Sequence, residues 1–288
     1  MAAPMRDPFR IEGPAVISFS GGRTSGYMLW RILQAHGGTL PDDVRVLFAN
    51  TGKEMPETLN FVQECSDRWN VPITWLEFSP DPVANKRYKV VDYKSANRTG
   101  EPFKQLVELY SLLPNPTMRY CTGKLKIIPQ QSYCQQILGW DEWDSALGLR
   151  ADEQRRVSKL NGGTAPQFIT TFAPLATAGI IISDISQFWL AQPFDLQLPN
   201  MNGKTMHGNC DLCFLKPTSQ IMSLIRENPN RAIWWMERES VNLHKEKPEM
   251  NFFRKDRPSY KTMYEAALNQ VEMFKFDDEA LEDCSCTD

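Results

Sequence analysis

Apolar residues gather in short, nearly unbroken runs separated by stretches of helical periodicity. AVISF (Ala15–Phe19), VRVLFAN (Val44–Asn50) and ITWLEF (Ile73–Phe78) are rich in β-branched and aromatic residues. They lack the strict polar alternation of a half-exposed strand, the pattern expected of strands covered on both faces of a parallel sheet. Between them Tyr27, Met28, Leu29, Ile32 and Leu33, and later Leu59, Phe61, Val62 and Trp69, recur at helical spacing. Strands alternating with helices predict βαβ units, hence an α/β fold with a doubly wound, mostly parallel sheet. SALGLR (Ser145–Arg150) predicts a further strand ending in the charged loop ADEQRR, and SDISQFWL (Ser183–Leu190) a short helix capped by Ser183. From about Pro193 the texture changes to the Pro/Asn/Gly-rich PFDLQLPNMNGKTMHGN, followed by helical segments around Gln220–Glu227 and Ala232–Glu239. The predicted organisation is a sheet-bearing unit over residues 1–192 and a smaller helical, cysteine-rich region over 193–288.

The junction after the first strand, ISFSGGRTSGYM (Ile17–Met28), packs Ser18, Ser20, Gly21, Gly22, Thr24, Ser25 and Gly26 into one turn. A glycine-rich strand-to-helix turn lets backbone N–H groups face an anion while the helix dipole favours negative charge. A tight turn without a ligand would also use such glycines. The spelling excludes two common phosphate loops: Gly21 to Gly26 has Walker spacing but Tyr27 stands where lysine is required, and adjacent Gly21 and Gly22 break G-x-G-x-x-G.

Ser20-Gly21-Gly22-Arg23-Thr24-Ser25 resembles the S-G-G-x-x-S pyrophosphate loop, or PP-loop, of the ATP pyrophosphatase and PAPS reductase superfamily, with Thr24 where ATP-using members usually carry Asp. NTGKEMPET (Asn50–Thr58), YCTGKLKIIP (Tyr120–Pro129) and GLRADEQRR (Gly148–Arg156) are similar to further segments of that superfamily and follow in the right order. APLATAGIIISDISQFW matches a fifth segment loosely. The resemblance implies an adenine-nucleotide site over Ser18, Ser20, Gly21, Gly22, Arg23, Thr24, Ser25, Asn50, Thr51, Gly52, Glu54, Gly148, Arg150, Arg155 and Arg156. It implies catalytic roles for Ser20, Arg119, Lys124 and Arg150, with ATP and Mg²⁺ as the reacting pair. Arg119, Lys124, Lys126, Arg150, Arg155 and Arg156 also supply the positive charge that a polyphosphate needs beyond backbone amides.

Seven cysteines occur, among them the C-x-x-C pair Cys210 and Cys213 in GNCDLCFLK, Cys121 in the third resembling segment, and Cys284 and Cys286 near the C-terminus. In a reducing compartment such a set points to metal or redox chemistry rather than disulfides. Two assignments compete. Cys210, Cys213, Cys284 and Cys286 would make a structural zinc site; Cys121, Cys210, Cys213 and one tail cysteine, taken as Cys286, would hold a 4Fe-4S cluster of the kind the resemblance implies. Cys65 and Cys134, in apolar helical contexts, read as buried small hydrophobes. His207 reads as a surface histidine, and as a ligand only secondarily.

The 288 residues carry a net charge of −3 and 42% hydrophobic residues, so no global positive field draws the chain to nucleic acid, and a local patch must do so. No run approaches the roughly 18 apolar residues of a membrane span, and the N-terminus has no apolar h-region, so a cytoplasmic protein without membrane attachment is expected. AIWWMERE and NFFRK read as core filling rather than as base-stacking platforms. The function expected from the resemblance is ATP-driven adenylation of an acceptor, DNA or tRNA, for sulfur transfer, as in DNA phosphorothioation or tRNA thiolation, with a sulfur-donor protein such as a cysteine desulfurase as partner. A PAPS or adenylyl-sulfate reductase is the alternative enzyme, against which the CSCTD ending counts. A zinc-stabilised nucleotide- or DNA-binding module without catalysis is the third.

Overall fold

A computed structural model describes residues 7–160, 166–201, 204–208, 210–241, 243 and 248–269. Six strands form one sheet in the order β4-β3-β2-β1-β5-β6: β1 Ala15–Phe19, β2 Val44–Asn50, β3 Ile73–Phe78, β4 Tyr88–Val91, β5 Trp143–Leu147 and β6 Ile169–Phe172. All pairings are parallel except β3 with β4. The α/β, mostly parallel class read from the apolar runs is the one observed.

The three runs that predicted strands became β1, β2 and β3 with the predicted bounds, because each is buried on both faces. Helix α1 (Arg23–Ala35) follows β1 and α2 (Pro56–Trp69) follows β2. Pro56 opens α2, where its missing N–H costs nothing, and Asn70 ends it in the left-handed conformation at φ 48°. After β4 comes α3 (Glu101–Tyr110), then a continuous helical stretch of α4 (Tyr120–Thr122), a π-helical turn (Gly123–Ile127) and α5 (Ile128–Gln136). Helix α6 (Gln154–Leu160) and the short α7 (Pro174–Thr177) lie on either side of β6 in sequence.

Helix α8 (Ile182–Leu190) begins one residue before the predicted cap. Ser183 therefore lies inside it instead of capping it, and the Asp184 carboxylate, on the third helical residue, reaches back to accept the Ile181 N–H at 2.8 Å. A two-stranded ribbon of β7 (Asn200–Met201) and β8 (Lys204–Thr205) leads to α9 (Thr218–Glu227), α10 (Arg231–Ser240) and α11 (Tyr260–Leu268).

The main apolar cluster joins α1, α2 and α8 to one face of the sheet and also takes in Phe194, Leu196 and Leu198. A second cluster joins α9, α10 and α11 to Phe103, Leu106 and Val107 of α3 and to Leu125. A division at residues 192/193 runs through both clusters rather than between them. Trp235 and Phe253 are fully buried in the second and Trp234 packs against it, as the core reading of AIWWMERE and NFFRK expects, while Phe252 stays exposed. No helix among the described residues is long and apolar enough to cross a membrane.

Candidate nucleotide site

The chain runs β1, β2, β3 outward in one direction and returns to place β5 on the other side of β1. In open α/β sheets the crevice at the carboxyl ends of such diverging strands is where ligands bind. Here that crevice brings together the loops after β1 and β5, which lie some 126 residues apart in sequence.

The loop after β1 closes on itself. Ser25 Oγ accepts the Ser20 N–H at 3.2 Å and the Ser20 hydroxyl at 3.0 Å, and donates to the Gly22 carbonyl at 3.0 Å. The six-residue spacing of S-G-G-x-x-S thus has a mechanical reason: its last serine ties its first. Gly21 adopts φ +79°, and a Cβ there would lie 2.7 Å from Thr58 Cγ2, so a side chain meets both strain and a clash. Gly22 caps α1 without any side-chain bond to the first-turn amides. Those N–H groups and the helix dipole make the loop fit for a negatively charged group.

Across the crevice, Arg150 is buried and donates from Nη1 to Thr24 Oγ1 at 3.0 Å and from Nε to Asp152 Oδ1 at 3.0 Å, while its own N–H is accepted by Glu153 at 2.9 Å. Thr24, the departure from the superfamily spelling, is the hydroxyl on which this guanidinium rests. Gly148 passes close beneath the loop, since a Cβ there would stand 3.3 Å from Ser25 Cα. Arg156 is ion-paired to Glu153, and Arg155 is exposed on the same helix.

Arg23, expected on the phosphate side, has its guanidinium committed elsewhere. It makes a bidentate pair with Asp195 at 2.7 Å and donates to Thr205 Oγ1 at 2.9 Å and the Leu198 carbonyl at 2.8 Å. Its side chain ties Asp195, Leu198 and Thr205 to α1, and only its backbone N–H is left to the loop.

At the end of β2, Asn50 is fully buried. Its amide donates to Glu77 Oε1 at 2.7 Å and the Asn97 carbonyl at 2.8 Å, and its Oδ1 accepts the Gly52 N–H at 3.0 Å. Glu54 accepts both the N–H and the hydroxyl of Thr51, at 2.8 and 2.9 Å. Glu77 escaped the sequence reading although a carboxylate inside ITWLEF was the available signal; it also pairs with Lys89 at 3.1 Å.

The C-x-x-C turn meets this loop. Cys210 Sγ is 3.4 Å from Thr51 Oγ1, and the Asp211 N–H is accepted by the Lys53 carbonyl at 2.6 Å. The turn holds its shape through the Cys213 N–H to the Cys210 carbonyl and through the Tyr260 hydroxyl, which donates to Leu212 at 2.6 Å. Cys121 packs against the apolar cluster that contains Cys210 and Cys213. All three thiols thus belong to or border one extended apolar cluster, and among the described residues no three His, Cys, Asp or Glu side chains group as a metal site. Cys284 and Cys286 lie outside the described residues.

Lys53 and Asp211 are further residues the motifs did not single out. Burial pulls the Lys53 ammonium below its usual range, opposed by Asp211, Cys210 and Glu54; burial pushes Asp211 up, opposed by Lys53 and Arg231. His207, expected at the surface, is only 7% exposed and bonds through Nε2 to Glu227 at 2.7 Å. Cys65 and Cys134 are buried as expected, and burial raises both thiols, Cys134 to about 12, which keeps them inert. Arg119 stands at the start of α4, and Lys124 Nζ lies over the Tyr110 ring at 5.6 Å from its centroid.

A doubly wound sheet with a closed anion loop at its switch point defines a nucleotide-binding α/β protein. Residues 14–161 match the family model of the phosphoadenosine phosphosulfate reductase domain, and the chain belongs to that family. It is 32% identical over 211 residues to the uncharacterized nin region protein ORF290 of Escherichia phage lambda, covering 72% of this chain and 67% of that protein. Among solved structures it is similar to the U34-tRNA thiolase NcsA of Methanococcus maripaludis, a structure with a 4Fe-4S cluster, at 13% identity and a TM-score of 0.40 over 95% of this chain and 77% of that one.

Proposed function

We propose that the protein is a PP-loop ATP pyrophosphatase that adenylates an oxygen of a nucleic-acid acceptor so that sulfur can replace it. An acceptor oxygen attacks the α-phosphorus of ATP, the bond to the bridging α–β oxygen breaks, and pyrophosphate departs with the electron pair. Hydrosulfide supplied by a donor protein then forms the new bond to the activated acceptor atom as that atom's bond to the adenylated oxygen breaks, and AMP departs carrying that oxygen. The loop Ser20–Ser25 would receive the departing pyrophosphate on its first-turn amides, with Mg²⁺ and Arg150 balancing its charge. The observation that carries this reading is the Arg150–Thr24 contact, which brings a buried cation from the loop after β5 onto the closed loop after β1.

Cys121, Cys210 and Cys213, with Cys286, would hold a thiolate-bound 4Fe-4S centre whose chemistry would be to carry sulfide. Support for that part is the packing of all three thiols on one apolar cluster and the Thr51 hydroxyl against Cys210. The family match favours a second reading, a sulfonucleotide reductase.

The test is anaerobically purified protein incubated with Mg-ATP and a single-stranded DNA or an unmodified tRNA. AMP and pyrophosphate are expected, with the rate falling by about 10² in Arg150→Ala. Release of ADP and phosphate would sink the reading, and sulfite formed from PAPS without ATP would put the reductase in its place.

A further inference from the structure

Residues 86–126 carry nine Lys and Arg against three Asp and Glu, a surplus of six positive charges in a chain whose total is −3. The fold draws several of them to one spot. Tyr110, at the end of α3, remains 37% exposed. Arg87 Nη1 donates to its hydroxyl at 3.3 Å, and Lys124 Nζ lies over its ring. The Tyr120 ring lies 5.4 Å from it, tilted by 40°. Met118 is also exposed nearby in sequence, and Lys86 is exposed beside Arg87. Tyr120 immediately precedes Cys121, and the turn that carries Lys124 is the π-helical insertion in this stretch, a rare distortion that recurs at functional sites.

We infer that this face, centred on Arg87, Tyr110 and Lys124, binds single-stranded nucleic acid and leads it toward Cys121. The inference rests on the nucleic-acid acceptor of the proposed reaction and names where that acceptor docks. The ring carries one cation over its face and another at its hydroxyl, so a single-strand base that takes the place of the Lys124 ammonium on the ring keeps both cations within reach of its phosphates; a duplex keeps its bases stacked internally and cannot offer one. Cations on an otherwise acidic chain supply the attraction locally, without the global field the composition lacks. Of the other aromatic segments in the sequence, AIWWMERE and NFFRK, Trp235 and Phe253 belong to the second apolar cluster and Trp234 packs against it.

The test uses the full-length protein and a fluorescein-labelled oligodeoxynucleotide single strand of about 15 nucleotides, read by anisotropy at several salt concentrations. Binding that weakens with salt is expected. Tyr110→Ala should weaken it about fivefold or more, while Tyr110→Phe, which keeps the ring, stays within about twofold of the parent. Arg87→Ala should reduce the slope of log affinity against log salt by about 0.7, one phosphate contact on a single strand. ATP affinity of the Arg87 and Tyr110 variants should equal the parent's. A parent that ignores the oligonucleotide, a Tyr110→Ala variant that binds as tightly as the parent, or polyglutamate competing as well as unlabelled strand would each overturn the surface. Pyrophosphate release without strand binding removes the surface and leaves the pyrophosphatase reading standing; strand binding that follows the variants without ATP cleavage does the reverse.

Discussion

Arg23 and Thr24 are neighbours in one motif, and their side chains serve different tasks. Thr24 accepts from Arg150 in the crevice. Arg23 turns to Asp195, Thr205 and Leu198 and ties the segment after α8 to the start of α1. Because Arg23 is buried and Asp195 about one-third exposed, removing the fork leaves a partly buried carboxylate short of its partner. Arg23→Lys, which keeps the charge but loses the bidentate geometry, should lower unfolding free energy by about 2 kcal/mol in urea denaturation. An unchanged midpoint would mean the clamp contributes nothing. The glycines and serines of the loop were legible because the φ of Gly21 and the Ser20–Ser25 tie are local requirements. The commitment of Arg23 was not, since its partner lies 172 positions away.

Among the elements, α10 is fastened to the start of α11 by one carboxylate. Glu239 accepts the N–H of Tyr260 at 2.8 Å and of Phe253 at 3.3 Å, and burial raises it to about 7 from 4.5. The folded state therefore holds this proton more tightly than the unfolded chain. The stabilisation is fully present below pH 4.5 and is lost as pH rises through about 7. Glu239→Gln, which keeps the acceptor oxygen, should remove that part of the fall in stability between pH 4.5 and 7 when denaturation midpoints are compared; identical profiles would exclude Glu239 as the cause.

The helical periods of α9 and α10 were visible, as were the buried strands β1, β2 and β3. Strands β4 (YKVV) and β6 (ITTF) escaped notice because each is four residues long and at a sheet edge, where half-exposed positions break the apolar run.

At the scale of the whole molecule, Cys121 and the Cys210–Cys213 turn pack on one apolar cluster only because α3 and Leu125 share a core with α9, α10 and α11. If they bind one centre, Cys210→Ser and Cys213→Ser should each lower iron and acid-labile sulfide together in anaerobically purified protein, with Cys65→Ser, in a separate core, leaving both unchanged. Zinc in place of iron would choose the structural alternative. The sequence by itself determined the α/β class, the glycine-rich loop after β1 and the family, because strand burial, glycine backbone freedom and the Ser20–Ser25 tie are written within a few adjacent residues. Tertiary structure alone decided that Thr24 meets Arg150, that Arg23 is a clamp, that His207 is buried, and that Arg87, Tyr110 and Lys124 share one face. Each of those depends on which distant segments the sheet order brings together, and contacts between distant segments leave no period or motif in the chain.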